Sequence, residues 1–259
     1  MFKRICWLLL FTCLVIGNSW AADNPFVGKW KLNPSRSKLS DEMKVELVSG
    51  NKYAFDFGSG DPETVVADGT DQPADFATTL AVTIEAPNKW KVLRKKDGTA
   101  VITATWELSQ DGNTLTDHFT SISSKGTESS LDFVYERTAG TAGFAGTWES
   151  DSVQVNSVFE FQIEPYEEDG LSFVNPAEQT TKNIKFDGKD YPGSGPNLPK
   201  GYTTSGHRVS AQTMQLIDKV EGKIMDTRQV DLSPDLKTLT VTVRPVNRSK
   251  PNILVFERE

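Results

Sequence analysis

What most constrains this chain of 259 residues is that it repeats itself. Phe26-Val27-Gly28-Lys29-Trp30 returns as Phe144-Ala145-Gly146-Thr147-Trp148, and Asp68-Gly69-Thr70-Asp71-Gln72-Pro73 returns as Asp187-Gly188-Lys189-Asp190-Tyr191-Pro192. Later in each half, Leu108-Ser109-Gln110-Asp111-Gly112-Asn113-Thr114-Leu115-Thr116 is matched by Leu232-Ser233-Pro234-Asp235-Leu236-Lys237-Thr238-Leu239-Thr240. Phe133-Val134-Tyr135-Glu136-Arg137 is matched by Leu254-Val255-Phe256-Glu257-Arg258. The matches keep their order at a spacing of about 120 residues, with small drifts that read as loop insertions, so one unit is expected twice. The boundary falls in the small-residue run Thr138 to Gly143, giving units at 22–139 and 140–259. Each is long enough to bury a core of its own.

Within both units the apolar residues alternate. Tyr53, Phe55 and Phe57 alternate with Lys52, Ala54 and Asp56; Leu80, Val82 and Ile84 with Ala81, Thr83 and Glu85; Phe159, Phe161 and Ile163 with Glu160, Gln162 and Glu164. A period of two buries one face of a strand and wets the other. Turn residues punctuate these runs at Pro87-Asn88, Lys96-Asp97-Gly98, Gln110-Asp111-Gly112-Asn113, Glu168-Asp169-Gly170 and Glu221-Gly222. A helical period is legible only as a single turn around Lys38 to Met43. The reading is all-β, and many short antiparallel strands in each unit must close into a barrel or split into a sandwich to hide their edges.

Residues 1–21 have the composition of an export signal: Lys3 and Arg4, an apolar run from Ile5 to Ile16, and small residues up to a cleavage site after Ala21. The run is too short to span a bilayer as a helix, so no membrane span is expected after cleavage. Both cysteines, Cys6 and Cys13, lie in this segment. A cysteine-free remainder relies on its hydrophobic core rather than on disulfides, as is common in the bacterial periplasm, and a periplasmic or secreted location follows. The formal net charge is -7, and Lys3 and Arg4 belong to the leader, so the exported part is more acidic still. No basic cluster is longer than Arg94-Lys95-Lys96, which argues against nucleic acid or an anionic lipid surface as a partner.

The Gly-x-Trp near the start of each unit and the Arg closing the last strand resemble the lipocalin and fatty-acid-binding (calycin) barrels. The stretch Phe26 to Ser40, the Asp-Gly-Lys-Asp-Tyr-Pro turn and the final strand are similar to bacterial secreted lipocalin-like proteins of unassigned function. The resemblance implies two tandem antiparallel up-and-down barrels, each plugged at one end by a first-strand Trp beneath a last-strand Arg. Matching residues are Gly28, Trp30 and Arg137 in the first unit and Gly146, Trp148 and Arg258 in the second, all with a structural role. An inward Arg needs an aromatic plane or acceptors, and an indole supplies the former. After Trp148 the second unit departs from the pattern, with Glu149-Ser150-Asp151-Ser152 in place of Lys-Leu-Asn-Pro.

Catalytic chemistry finds little footing. His118 and His207 are the only histidines and do not occupy equivalent positions. Gly-x-Ser-x-Gly is absent, and Gly58-Ser59-Gly60 and Gly193-Ser194-Gly195 read as turns. Asp117-His118 lacks further ligands at metal spacing, Glu167-Glu168-Asp169 sits in a turn, and no glycine-rich phosphate cradle precedes a helix. No catalytic residue, metal or cofactor is therefore assigned.

A small barrel is either filled by its own side chains or holds one small ligand. The alternation points Tyr53, Phe55, Trp90 and Trp106 into the first interior, where they either fill the core or serve as ligand-binding residues. In the second, the face carrying Ile224, Val230 and Leu232 also carries Asp226 and Arg228. These two charges either neutralise each other in the core, lie in water at an open mouth, or leave Arg228 to anchor an acidic head group, with Tyr202 and His207 nearby as hydrogen-bonding candidates. The expected function is a non-enzymatic carrier or sensor of small hydrophobic or amphipathic molecules. An envelope interaction module with filled cores and a hydrolase or isomerase using His118 or His207 are the rival readings. Oligomeric state stays open.

Overall fold

The computed structural model describes residues 24–58, 60–196 and 198–259. The expected export signal, with Cys6 and Cys13, lies outside the described residues. The chain is all-β. β1 (Gly28–Leu32) is followed by a 3-10 turn at Pro34–Arg36 and then by β2 (Asp41–Ser49), β3 (Lys52–Asp56), β4 (Glu63–Val66), β5 (Gln72–Ala74) and β6 (Thr78–Ala86). Next come β7 (Lys89–Lys96), β8 (Thr99–Leu108), β9 (Thr114–Ile122), β10 (Glu128–Ala142) and β11 (Ala145–Val155). The remainder supplies β12 (Glu160–Tyr166), β13 (Gly170–Asn175), β14 (Thr180–Ile184), β15 (Tyr191–Ser194) and β16 (Tyr202–Arg208). The last strands are β17 (Thr213–Val220), β18 (Lys223–Leu232), β19 (Thr238–Pro245) and β20 (Asn252–Arg258). Tight hairpins are set by the turn pairs read from the sequence. Asp97-Gly98 and Glu221-Gly222 both have positive φ at each residue, which suits the right-handed twist of the strands they join. The helical turn expected around Lys38 to Met43 is instead extended: Lys38 bridges to Ile253 and Asp41 opens β2, where Met43 and Val45 are buried and Lys44 is exposed.

All ladders are antiparallel, and they form two ten-stranded sheets, one a closed barrel and the other nearly closed. Their membership differs from a simple division at residue 139. The closed barrel contains β12 to β20 together with β1, and the other sheet runs from β2 to β11. β1 lies between β12 and β20, with Trp30 opposite Phe161 and Arg258. β11 lies between β10 and β2, with Trp148 opposite Arg137 and Met43. The two first strands are thus exchanged. The expected pairing of Trp30 with Arg137 and of Trp148 with Arg258 is corrected accordingly: the Arg258 guanidinium lies 4.2 Å from the Trp30 ring centre and that of Arg137 4.0 Å from Trp148.

The physical reason is the path of the connections. After β1 the chain does not turn back; Asn33 N–H donates to Val255 O at 2.8 Å and Lys38 N–H to Ile253 O at 2.7 Å, so residues 33–38 stay along β20. At Ser40 its amide still bonds Asn252 Oδ1, at 2.7 Å, and the next residue opens β2 in the other sheet. The two Gly-x-Trp segments, Phe26 to Trp30 and Phe144 to Trp148, differ only at Val27/Ala145 and Lys29/Thr147.

Each plugged end is built in the same way. Trp30 and Trp148 are fully buried, and their indole N–H groups donate to Phe26 O at 3.0 Å and Phe144 O at 2.9 Å. Arg258 donates to Leu236 O, Val27 O and Pro25 O, at 2.7, 2.7 and 2.5 Å. Arg137 does the same toward Gly112 O, Ala145 O and Gly143 O. Each guanidinium therefore ties the turn before the last two strands to the entry of the first. Glycine is required beneath it: φ is +153° at Gly28, and an added Cβ would stand 2.5 Å from Arg258 Nη1.

The unclosed sheet is sealed by side chains between β4 and β5. The Gln72 amide accepts from Val66 N–H and donates to Val66 O, both at 2.8 Å, in place of ladder bonds. Arg94 on β7 reaches the Glu63 carboxylate on β4 with contacts of 3.0 and 2.5 Å, and Glu63 Oε1 accepts from Asp75 N–H at 2.8 Å. Gln72→Ala is expected to cost about 1 kcal/mol and to speed hydrogen exchange selectively at the Val66 amide, measured by exchange mass spectrometry. Unchanged Val66 protection would mean that the seam is held elsewhere.

The sheets meet through loops. Arg248 from the β19–β20 loop pairs with Asp41 and donates to Phe57 O at 3.0 Å, and Lys250 pairs with Glu149 and Asp151. Lys96 Nζ donates to Pro196 O at 2.8 Å, and Gln179 Nε2 to Ser124 Oγ at 2.9 Å.

Candidate functional site

The two interiors differ. In the first, Tyr53, Phe55, Trp90 and Trp106 pack on one another and on Phe57 and Phe144. Trp90 stacks on Phe144 with ring centres 4.2 Å apart and meets Tyr53 edge-on at 4.8 Å. Phe55 and Trp106 lie 5.8 Å apart. These rings occupy the middle of the sheet together with buried Val82, Val92 and Leu115. The four aromatic residues singled out from the sequence are brought together as core.

The second interior holds a cavity of about 370 Å³, within the size range of small-molecule sites. Its wall is largely apolar: Phe161 on β12, Phe173 on β13, Leu216 on β17, Val230 on β18, Val241 on β19 and Phe256 on β20 all line it. These residues come inward because each sits on the buried parity of its strand. At the rim are Asn175, Glu178 and Leu198, close in sequence to Gln179 and Pro196, which touch the first sheet. The lining thus reaches the loops that touch the first sheet, and Trp30 takes no part in it.

One corner is charged. Asp218, 1% exposed, accepts from Thr204 Oγ1 at 2.7 Å and pairs with Lys182 Nζ at 2.8 Å and Arg228 Nη2 at 2.7 Å. Arg228 also forks onto Asp226, Nε to Oδ1 at 2.8 Å and Nη2 to Oδ2 at 3.1 Å. Lys182 stands 4.8 Å from the Tyr202 ring centre, and Tyr202 Oη lies 3.4 Å from Thr204 Oγ1. Burial alone would raise the Asp218 pKa, but Arg228, Lys182 and the Thr204 hydroxyl overcome it and hold the carboxyl down at about 2. Burial and the Arg228 charge lower the pKa of Lys182, with Asp218 opposing them. Burial likewise works against the Arg228 charge, yet Asp218 and Asp226 push its pKa above the ordinary arginine value.

Of the residues singled out for the second interior, Arg228 lines the cavity, Tyr202 supports the charged corner from behind, and His207 is elsewhere. Its side chain is exposed on the outer face of β16, because it stands five positions along the strand from Tyr202 and an odd offset reverses the face. The three readings of Asp226 and Arg228 resolve to a mutual ion pair extended by a second carboxylate. Lys182 and Asp218 were missed by sequence reasoning. Parity carried the signal: Met214, Leu216 and Asp218 share one face of β17, and Lys182 shares a face with buried Ile184.

His118 lies 2.8 Å from Asp132 with its side chain about half exposed, on the outside of the first sheet. Among the described residues no group of three His, Cys, Asp or Glu is placed to hold a metal ion, and no helix is long and apolar enough to cross a membrane. No protein-family model and no curated protein matches the chain.

Proposed function

We propose that the protein is an exported carrier or sensor that holds one small hydrophobic or amphipathic molecule in the second barrel. In this reading the chain is a duplicated lipocalin-like unit, the leader directs it to the periplasm or beyond, and the first sheet serves as a scaffold whose interior is its own aromatic core. The observation that carries the proposal is the contrast between the interiors. One is packed with rings, while the other leaves about 370 Å³ lined by phenylalanine, leucine and valine beside a few convergent polar groups. An apolar cavity of that size forgoes packing contacts that a filled core would have, which is a cost to stability that ligand binding offsets.

Nile red titrated into the purified full chain is expected to show saturable binding at one site per molecule. Leu216→Trp, which extends an indole into the cavity, is expected to weaken that binding at least tenfold with the fold retained by circular dichroism. Saturable binding untouched by Leu216→Trp, or no binding at all, would remove the second barrel as the site.

A further inference from the structure

Resting on the carrier reading, we infer that the second-barrel cavity selects uncharged molecules that end in a hydrogen-bond acceptor, such as a ketone, ester or alcohol oxygen, over both carboxylates and amines of the same chain. The charge arithmetic of the corner carries this. Lys182 and Arg228 supply two positive charges, Asp218 and Asp226 two negative ones, and all four are joined by contacts of 2.7–3.1 Å. The corner is electrically neutral before any ligand arrives. An anionic head group would bring an unpaired charge into it, and a buried unpaired charge is strongly disfavoured.

A cationic head group fares no better at this corner. Asp218 already accepts from Thr204 and pairs with Lys182 and Arg228, and Asp226, held by Arg228, takes no part in the cavity lining. What the corner retains is donors. Among the described residues Arg228 Nη1 donates no hydrogen bond, and the Lys182 ammonium, with three N–H groups, makes one, to Asp218. A neutral oxygen satisfies a spare donor without disturbing the charge balance, and the phenylalanine-rich wall takes the hydrocarbon part.

The test uses four probes with one ten-carbon chain: methyl decanoate, 1-decanol, decanoate and decylammonium, competed against Nile red on the full chain at pH 7.5 and repeated by calorimetry. The ester and the alcohol are expected to compete at concentrations at least tenfold lower than either ion. Asp226→Asn leaves the corner with one net positive charge and is expected to bring decanoate within about threefold of the ester. Lys182→Met leaves it net negative and is expected to widen the gap between ester and acid, which keeps the rule testable should Asp226→Asn fail to fold. Decanoate or decylammonium binding as tightly as the ester to the wild-type chain would overturn the selection rule while leaving the carrier reading intact. So would an ester-to-acid ratio that neither variant moves. Binding of none of the four, and of no Nile red, would remove the carrier reading and the rule with it.

Discussion

Trp30→Ala is expected to destabilise the protein by about 3–5 kcal/mol, the usual cost of emptying a fully buried tryptophan site. The informative part is its partner. Trp30 and Arg258 lie in contact although 228 positions separate them in the chain, whereas Trp30 and Arg137 belong to different sheets. Urea unfolding of the two double-mutant cycles is therefore expected to give coupling of about 1 kcal/mol for Trp30→Ala with Arg258→Ala, and additivity within about 0.5 kcal/mol for Trp30→Ala with Arg137→Ala. The reverse pattern would show that in solution each first strand stays with its own half. Because Arg258 also holds three backbone carbonyls, the measured coupling includes the rearrangement of the loop ends as well as the cation-π contact.

Asp117 gives the second large effect, this time in pH. It lies on β9, 7% exposed, opposite Trp106 on β8. Its Oδ1 and the indole Nε1 of Trp106 are both buried without a partner at normal hydrogen-bond geometry. Burial pushes its pKa up to about 7; the nearness of the Trp106 N–H offsets this in part, and the Asp41 carboxylate adds to it. Around it, the Tyr135 hydroxyl donates to Asp41 at 2.5 Å, Arg248 pairs with Asp41 from the opposite sheet, and His118 and Asp132 exert smaller fields. A carboxyl whose folded pKa is raised keeps its proton when the unfolded chain has lost it. Stability from this group is thus fully present below pH 3.8 and falls as pH rises toward about 7. Asp117→Asn is expected to match the wild type near pH 4 and to exceed it on the order of 3–4 kcal/mol at pH 8, measured by denaturant midpoints. Equal midpoints at both values would place Asp117 in a solvated site. Asp218 acts in the opposite sense: its lowered pKa adds stability above pH 3.8 that is lost as pH falls toward about 2.

Local sequence pattern announced much of this architecture. Period-two alternation at Tyr53-Phe55-Phe57 and Leu80-Val82-Ile84 names strands, Asp97-Gly98 and Glu221-Gly222 name their turns, and the Gly-x-Trp with a distant Arg names the plugged ends. The exchange of first strands was not legible, because Phe26 to Trp30 and Phe144 to Trp148 are close to interchangeable. What sets the slot in the structure is the course of residues 33–40 along β20, and the Asn33-Pro34 turn signal within them does not say which sheet the next strand joins. The cavity was half legible. Arg228 and Asp226 stood out as charges on an apolar face, but whether an interior is full or hollow depends on how ring volumes sum across ten strands. Trp90 and Trp106 in one unit against Val230 and Leu216 in the other settle that sum only once the register is known.

The exchange also orders events in time. Among the described residues β1 is the first strand to be synthesised, yet both of its neighbours, β12 and β20, come from beyond residue 159. β2 to β10 each find a neighbour as they emerge, while the free edge of β2 stays open until β11 follows β10. During that interval the nascent chain already carries a segment much like the one that belongs there, namely β1 with its own glycine and indole. The native arrangement is reached either by holding that place empty or by evicting an early tenant once Trp148 arrives. A chain refolding from denaturant starts with every strand in hand and meets no such sequence, so the two routes begin from different competitions for the same slot.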